Sequence, residues 1–266
     1  MKPHLIEKVG SLLNLFSFAQ PEWGVREAAE ALDLPKSTMG DLLLSLAEQG
    51  MLNRTPNGRY QLGWRLFELS QVLLENTEFC IEARRAMREL VERWGETTHL
   101  AVLDGTQLLF VEKLQATPAA EILLSRVGSR LSAYEAGVGK VLLAFQAPYR
   151  LPGLLDRLSL QPHTPRTITS RQQLLLELEQ VRQQGYAYDL EERVPGLCCA
   201  AAPIYDLSGQ VPAAISLCIP ASRFYLQQDH YTEIIVQAAQ GISTRLGYQA
   251  RQSKEEIATS EQGVQK

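Results

Sequence analysis

A cluster of small and charged side chains follows a proline near residue 35. At the start of one predicted helix stand Lys36, Ser37, Thr38, Gly40 and Asp41. A lysine can bind a phosphate, and serine and threonine hydroxyls can donate to phosphates or to base edges. An aspartate can accept a hydrogen bond from the amino group of cytosine. These residue types on one helix indicate contacts with DNA.

Two arginines flank a turn a few residues later. Arg54 precedes, and Arg59 follows, the run Thr55-Pro56-Asn57-Gly58. Asn-Gly between two short extended runs is a strong hairpin signal. Guanidinium groups beside such a turn can reach the phosphate backbone or the minor groove. An alternative interpretation makes this polar surface the solvated face of a winged helix that binds another protein.

Cysteine and histidine side chains suggest a different chemistry in the second half of the chain. Cys198 and Cys199 are adjacent, and either is a conceivable nucleophile with His99 or His163 as its base. No local motif supports that pairing, and both cysteines lie in an apolar run. The four cysteines of the chain show no zinc-site spacing, and we expect reduced thiols. A cysteine-dependent enzyme with a winged-helix appendage is therefore the second candidate function, and neither a metal nor a cofactor is expected.

Three helices and a hairpin would position the first cluster. Apolar periodicity predicts helices over 5–19, 25–31 and 35–50, and extended runs over 51–54 and 59–62. This order is typical of a winged helix-turn-helix domain, which we assign to residues 1–64. Apolar residues from 64 to 76 predict a further helix that leaves this domain, so residues 65–79 are assigned to a linker helix.

From residue 80 the pattern changes to strands interleaved with helices. Helices are predicted over 81–94, 137–145, 172–184 and 228–246, and strands over 99–103, 107–113, 121–125, 186–190, 199–204 and 211–219. This α+β pattern predicts one larger domain over residues 80–250. The polar segment 251–266 is expected to be a flexible tail.

Charge and hydropathy limit the possible classes of protein. The chain has 266 residues, a net charge of −4 and an isoelectric point near 5.7. This balance does not exclude DNA binding, because only one face has to be basic. Up to Arg65, seven basic residues are balanced by seven acidic ones, so charge alone gives weak support. No segment matches a membrane span or a secretory leader, and we expect a cytoplasmic protein.

Several ordered motifs together resemble one protein family. The segment Val25 to Leu52, which contains Leu34-Pro35-Lys36-Ser37-Thr38, looks like the DNA-binding domain of the IclR family of bacterial regulators. Further matching motifs are Tyr60-Gln61-Leu62-Gly63, Gly137-Val138-Gly139-Lys140, Gly185-Tyr186-Ala187-Tyr188-Asp189, and Ala201-Ala202-Pro203-Ile204. The similarity extends from about Leu5 to Tyr248. Within the family, the chain resembles the branch that regulates ketodeoxygluconate and pectin catabolism.

The resemblance implies a GAF-like sensor domain with a central antiparallel sheet, helices on both sides and a pocket on one face. It places the pocket floor at Gly137, Val138, Asp189, Cys199, Ser216 and Cys218, with apolar walls at Ala120, Leu123 and Leu131. Amide groups at a helix N-terminus favour an anion, so we expect a small carboxylate effector. The residues alone leave other roles open. The glycines can serve close packing, the cysteines can be plain core, and Asp189, Glu191 and Glu192 can form a solvated strand end.

The resemblance also implies partners. These are a double-stranded DNA operator, usually bound for repression, and further copies of the chain as a homodimer or a homotetramer. One residue departs from the family pattern, because Asp41 stands where arginine is usual. Apolar side chains on the helices over 5–16 and 66–73 exceed what one small domain can bury, which predicts dimerisation through them.

Overall fold

The computed structural model of the protein describes residues 4–116 and 125–249. The chain divides into two compact units, one ending at Asn76 and the other beginning at Thr77. Each unit has its own hydrophobic core. Two cores agree with the chain length, since a single core rarely grows much beyond 250 to 300 residues.

The first unit is a winged helix-turn-helix, which confirms the sequence-based prediction. Its elements are α1 (His4–Leu13), β1 (Glu22–Trp23), α2 (Val25–Ala31), α3 (Lys36–Glu48), β2 (Leu52–Arg54), β3 (Tyr60–Leu62) and α4 (Trp64–Glu75). The predicted hairpin of β2 and β3 is present, and its turn contains Gly58 at a φ of +79°. The short strand β1 pairs with β3, so the sheet order is β1-β3-β2.

The first helix is shorter than its apolar pattern predicts. It ends at Leu13 rather than near Ala19, because the chain continues in tighter turns. The indole of Trp23 then donates a hydrogen bond to the carbonyl of Leu15 at 2.9 Å. This contact fixes the loop that leads into β1.

One face of each of the first three helices forms the core of this unit. The buried side chains are Leu12, Ala28, Ala29, Met39, Leu42, Leu43 and Leu46, together with Leu52 and Tyr60 of the sheet. On α3 they recur at helical spacing, which leaves the opposite face in solvent.

The helix α4 differs from the others because none of its side chains is buried. Its exposed apolar residues are Trp64, Phe67, Leu69, Val72 and Leu73. A single helix rarely keeps such a surface in water unless another surface covers it.

The second unit contains a six-stranded sheet and six α-helices within the described residues. Its elements are α5 (Glu78–Trp94), β4 (Thr97–Asp104), β5 (Gln107–Leu114), β6 (Arg130–Ser132), α6 (Gly137–Ala144), α7 (Leu151–Leu155), α8 (Arg171–Gln184), β7 (Ala187–Leu190), β8 (Leu197–Ile204), β9 (Ala213–Pro220), α9 (Ala221–Phe224) and α10 (Gln228–Arg245). The sheet order is β6-β5-β4-β9-β8-β7, and every pair is antiparallel. The predicted central antiparallel sheet is therefore confirmed.

Helices cover the sheet on both faces. Ala101, Ala201 and Ala214 point to one face and share a buried cluster with side chains of α6 and α8. Alternation along the strands directs Ala200 and Leu217 to the opposite face, where α5 and α10 pack. Small side chains under α6 allow this helix to lie close to the strands.

Some elements are absent from the sequence-based prediction. The short helices α7 and α9 and the edge strand β6 have too few residues to show a period. Most of the strand predicted over 121–125 lies outside the described residues, as do Ala120, Leu123 and the tail over 251–266. Among the described helices, none is long and apolar enough to cross a membrane.

Candidate functional site

The exposed face of α3 carries the residues predicted to contact DNA. Lys36, Ser37 and Asp41 are exposed, and Thr38 is half-buried at the same end of the helix. The chain enters α3 from Pro35, whose extended backbone suits the position before a helix. The polar stripe is therefore opposite the buried leucines and available to a partner.

Two positions on α3, Gly40 and Leu44, differ in their surroundings from what the sequence analysis assumed. Gly40 is half-buried, and a Cβ atom there would lie 3.8 Å from Val25 Cγ1, so close packing does not require a glycine. Leu44 was not among the predicted contacts, yet half of its surface is exposed beside Asp41. An apolar side chain on this face can contact the methyl group of thymine. Its regular spacing from Ser37 and Asp41 was the available sequence signal.

The two wing arginines have different surroundings. Arg54 is exposed and has no ion pair in the described part of the chain. Arg59 donates to both carboxylate oxygens of Glu27, at 2.9 and 2.7 Å, and to the carbonyl of Glu22 at 3.0 Å. The hydrogen bonds from Arg59 lower the pKa of the Glu27 carboxyl. Arg59 therefore ties the wing to α2, and its contact with DNA stays a prediction.

A narrow and largely apolar cavity lies in the second unit, at the N-terminal end of α6 and over the strands β7, β8, β9 and β4. Its lining residues include Gly137, Val138, Asp189, Cys199, Ser216, Cys218 and Leu131, all predicted from the sequence. They come from four strands and one helix, and the register aligns them across the sheet. Asp189 pairs with Cys199, Cys199 with Cys218, and Ala201 with Ser216.

Two glycines bring α6 close to the sheet. A Cβ atom on Gly139 would lie 2.0 Å from the carbonyl oxygen of Ala133, which the structure does not allow. A Cβ atom on Gly137 would lie 3.2 Å from Ala201 Cβ and 3.4 Å from the amide of Asp189. Gly139 is thus a packing residue, while Gly137 both packs and lines the cavity.

The carboxyl group of Asp189 is buried at the cavity. Its Oδ1 accepts a hydrogen bond from the amide of Glu192 at 2.8 Å. Burial and the nearby negative charge of Glu192 raise the pKa of Asp189 to about 7, although Lys140 opposes the shift. Near neutral pH this carboxyl can therefore accept a hydrogen bond or, when protonated, donate one.

A buried lysine lies behind Asp189. Lys140 Nζ donates to Glu192 Oε1 at 2.7 Å and to Glu177 Oε1 at 3.0 Å. Burial opposes the charge of Lys140, but the two carboxylates outweigh it and raise the pKa of the lysine. Asp189 and Glu192 are both buried, so the alternative of a solvated strand end is wrong for them.

His99 also lines the cavity. Its Nε2 lies 2.7 Å from Ser125 Oγ, and its Nδ1 lies 3.6 Å from Cys218 Sγ. Burial lowers the pKa of His99 to about 3, and the charge of Lys113 adds to the shift. The ring is therefore neutral at physiological pH, and both of its nitrogens already have partners within the protein.

The expectation of reduced thiols is wrong for two of the four cysteines. Cys199 and Cys218 form a disulfide between the neighbouring strands β8 and β9, whereas Cys80 and Cys198 are free and buried. The register places the two half-cystines directly opposite each other, which the sequence does not reveal. Neither sulfur of this bridge is a thiol donor or a nucleophile, which removes Cys199 from the enzyme hypothesis.

Other cavity residues were missed in the sequence analysis. These are His99, Phe110, Ser125, Ala136, Arg193, Val194 and Leu197. His99 was considered only as a base, and the others belong to no motif. Within the described residues, no group of three or more His, Cys, Asp or Glu side chains is suited to a metal ion.

Comparison with known proteins identifies the family. Residues 5–56 match the IclR helix-turn-helix domain, and residues 71–244 match the bacterial transcriptional regulator IclR C-terminal domain. The chain belongs to the IclR family. It is accordingly a DNA-binding transcriptional regulator, which confirms the sequence-based identification and leaves the enzyme alternative unsupported.

Curated relatives match this IclR-family chain over most of its length. The transcriptional regulator XynR of Escherichia coli is 35% identical over 247 residues, covering 92% of this chain and 98% of XynR. The regulator KdgR of Escherichia coli is 33% identical over 249 residues, covering 91% and 94%. The transcriptional repressor AllR of Escherichia coli is 35% identical over 223 residues, covering 82% and 81%.

Solved structures of the family have the same fold. An IclR homolog from Microbacterium hydrocarbonoxydans, complexed with 4-hydroxybenzoate, superposes with a TM-score of 0.81 at 28% identity, covering 91% of this chain and 98% of that one. The IclR protein of Thermotoga maritima gives a TM-score of 0.71 at 30% identity, covering 91% and 98%. A ligand is therefore known in the family for at least one homolog of similar length.

Proposed function

We propose that this IclR-family protein is a cytoplasmic repressor whose affinity for a DNA operator is controlled by a small carboxylate effector. The effector binds in the cavity at the N-terminal end of α6. The observation that carries the proposal is the convergence on one apolar cavity of the first two residues of α6, Gly137 and Val138, with the buried residues Asp189 and Ser216. AllR is a repressor by name, which supports the repressor role proposed here. The Microbacterium homolog is complexed with 4-hydroxybenzoate, a carboxylate, which supports the proposed class of effector.

The binding mode follows from the chemistry of the cavity. The first amides of a helix have no partner within the helix, and the helix dipole favours an anion there. The effector's carboxylate therefore lies at the amides of Gly137 and Val138. Asp189 and Ser216 bind a hydroxyl or carbonyl group of the effector, and Leu131 with Phe110 limits its size.

The proposed DNA contacts divide into positioning and specificity. Lys36 binds a phosphate, and Ser37 and Thr38 donate to phosphates or base edges. Asp41 selects a base by accepting from cytosine, and Arg54 reaches the backbone beside the wing.

The proposed assembly is a homodimer, which can pair further into a homotetramer. The exposed apolar face of α4 and the exposed Leu5 and Ile6 of α1 supply the apolar area that a dimer buries. Two DNA-binding heads in a dimer also match the dyad symmetry of an operator. Light scattering at micromolar concentration should give at least twice the monomer mass, and a monomer would contradict this assembly.

Calorimetry and a gel-shift assay together test the proposed function. The protein should shift DNA from the region upstream of its own gene, and one of pyruvate, gluconate and 4-hydroxybenzoate should bind and reduce that shift. Asp189→Ala and Ser216→Ala should abolish the effector response while DNA binding without effector is unchanged. The matched controls are Asp156→Ala and Ser208→Ala, which alter exposed residues outside the cavity. If the two cavity variants respond like the wild type, the cavity is not the effector site.

A further inference from the structure

Arg193 belongs to the wall of the effector cavity, and no sequence motif points to it. It lies in the turn between β7 and β8, directly after the buried Glu192. A guanidinium group is always charged at physiological pH and can bind a carboxylate through two parallel hydrogen bonds. In a largely apolar cavity it is therefore the strongest partner that an anionic ligand can meet.

A buried carboxylate holds one end of this guanidinium. Arg193 Nη1 lies 3.0 Å from Glu135 Oε2, and the Glu135 side chain is only 9% exposed. The other oxygen of Glu135 lies 3.1 Å from His163 Nε2. Glu135 precedes Gly137 by two residues, so the ion pair brings the guanidinium to the end of α6 whose amides attract anions.

The other edge of the guanidinium is suited to a ligand. Within the described part of the chain, the buried Nε of Arg193 has no hydrogen-bond partner, and the contact with Glu135 is made by Nη1 at the other end of the group. Nε and Nη2 form the side-on edge that binds a carboxylate in a bidentate manner. A buried N–H group without an acceptor destabilises the protein, so a ligand that supplies acceptors at this edge gains affinity.

We propose that Arg193 is the ionic anchor of the effector, binding its carboxylate through the Nε–Nη2 edge while the amides of Gly137 and Val138 donate to the same group. Glu135 is a positioning residue that fixes the guanidinium from the opposite side. This inference rests on the proposed function, because it concerns the same cavity. It restricts the effector to compounds with a free carboxylate, and it excludes the corresponding amides and esters. A site built to bond a charged group rejects analogues that lack it.

Matched acids and amides test the anchor by calorimetry on the full chain. The probes are pyruvate, gluconate and 4-hydroxybenzoate, each compared with its uncharged amide. The wild type should bind at least one acid and discriminate against its amide. Arg193→Gln should weaken binding of that acid by about 10- to 100-fold, leave the amide's affinity unchanged, and so remove the discrimination. Arg193→Lys keeps the charge but not the bidentate edge, and it should give an intermediate loss.

Two further variants separate binding from structural effects. Arg166→Gln is the matched control, because Arg166 is an exposed arginine that pairs with Glu191 and does not line the cavity. It should bind the acid like the wild type. Glu135→Gln should weaken binding of the acid less than Arg193→Gln does, because the guanidinium is still present but less firmly held.

The outcomes distinguish the anchor from the proposed function. If the wild type binds an acid and Arg193→Gln binds it equally well, Arg193 does not bind the carboxylate of the effector. The cavity then stays the proposed effector site. An equal loss of affinity for acid and amide indicates a structural role and also overturns the anchor. If the wild type binds none of the acids, the carboxylate effector itself fails.

Discussion

The exposed polar face of α3 and the cavity at the N-terminal end of α6 position their residues in different ways. The face of α3 takes exposed side chains from one helix, at spacings that the helix alone determines. The cavity collects residues such as His99, Gly137, Asp189 and Ser216 from distant segments and buries most of them. Substitutions on α3 should therefore change DNA affinity with little effect on folding, whereas substitutions at the cavity should change folding and ligand binding together.

A pair of glycine substitutions gives the largest expected contrast. Gly139→Ala in α6 brings Cβ to within 2.0 Å of the Ala133 carbonyl and should lower the free energy of unfolding by about 4–5 kcal/mol. Gly40→Ala in α3 meets only Val25 Cγ1 at 3.8 Å, and it should raise the free energy of unfolding by up to about 1 kcal/mol. Urea unfolding measures both changes. Equal changes would contradict the contrast between the two regions.

The pH dependence of stability should change when Asp189 is replaced by asparagine. The native pKa of Asp189 is raised to about 7, so between pH 4 and 7 the native state holds a proton that the unfolded state has released. Stability therefore falls as pH rises through this range, by at most about 4 kcal/mol. Lys140 and Glu192 face this carboxyl and are unchanged in Asp189→Asn.

Urea unfolding at pH 4 and at pH 8 tests this effect. The asparagine variant should gain stability relative to the wild type as pH rises from 4 to 8. Asp156→Asn, on the exposed surface, is the control and should follow the wild type. If the free energies of unfolding of the wild type and the variant differ by the same amount at both pH values, the native pKa of Asp189 is not raised.

Reduction of the disulfide should have a somewhat smaller effect. In denaturant without reductant, only Cys80 and Cys198 should react with a thiol reagent, and all four cysteines should react after reduction. The bridge closes a loop with a sequence separation of 19, so its loss should lower the free energy of unfolding by about 3 kcal/mol. Cys199→Ser with Cys218→Ser should reproduce that loss, whereas Cys80→Ser should leave the bridge and the response to reductant intact. Four reactive thiols before reduction would contradict the bridge.

The smallest expected effect lies on α3. Lys36→Ala should weaken binding to all DNA sequences by about tenfold and reduce the dependence of log affinity on log salt by about one unit, since it removes one phosphate contact. Lys8→Ala, a cation of α1, serves as the matched control. Asp41→Ala should change base preference at one position without reducing the salt dependence. Fluorescence anisotropy at several salt concentrations measures these values, and an unchanged slope in Lys36→Ala would contradict the phosphate contact.

The sequence predicted those features that depend on local spacing. The apolar periodicity of three successive helices and the Asn57-Gly58 turn together predicted the winged helix-turn-helix. The two-residue strand β1 was not predictable, because it exists only through its pairing with β3. The bridge between Cys199 and Cys218 likewise depends on the register of β8 with β9, which no local pattern encodes.

Sequence patterns likewise identified only part of the cavity, because contacts between distant segments form much of it. Asp189 and Gly137 were found through family motifs, whereas Arg193 lies in a turn without a motif. Its role depends on the ion pair with Glu135, 58 positions earlier in the chain. Tertiary contacts of this kind are not visible as periodicity, so the anchor could be proposed only with the structure.

The central claim is that effector binding in the cavity and DNA binding by α3 are coupled, and one reciprocal titration tests it most directly. The affinity of the full chain for its upstream DNA is measured with and without saturating acid, and the affinity for the acid is measured with and without saturating DNA. Coupling requires both affinities to fall by the same factor, expected to be about 5- to 150-fold. If the acid binds but neither affinity depends on the other ligand, the cavity does not control DNA binding and the account is wrong.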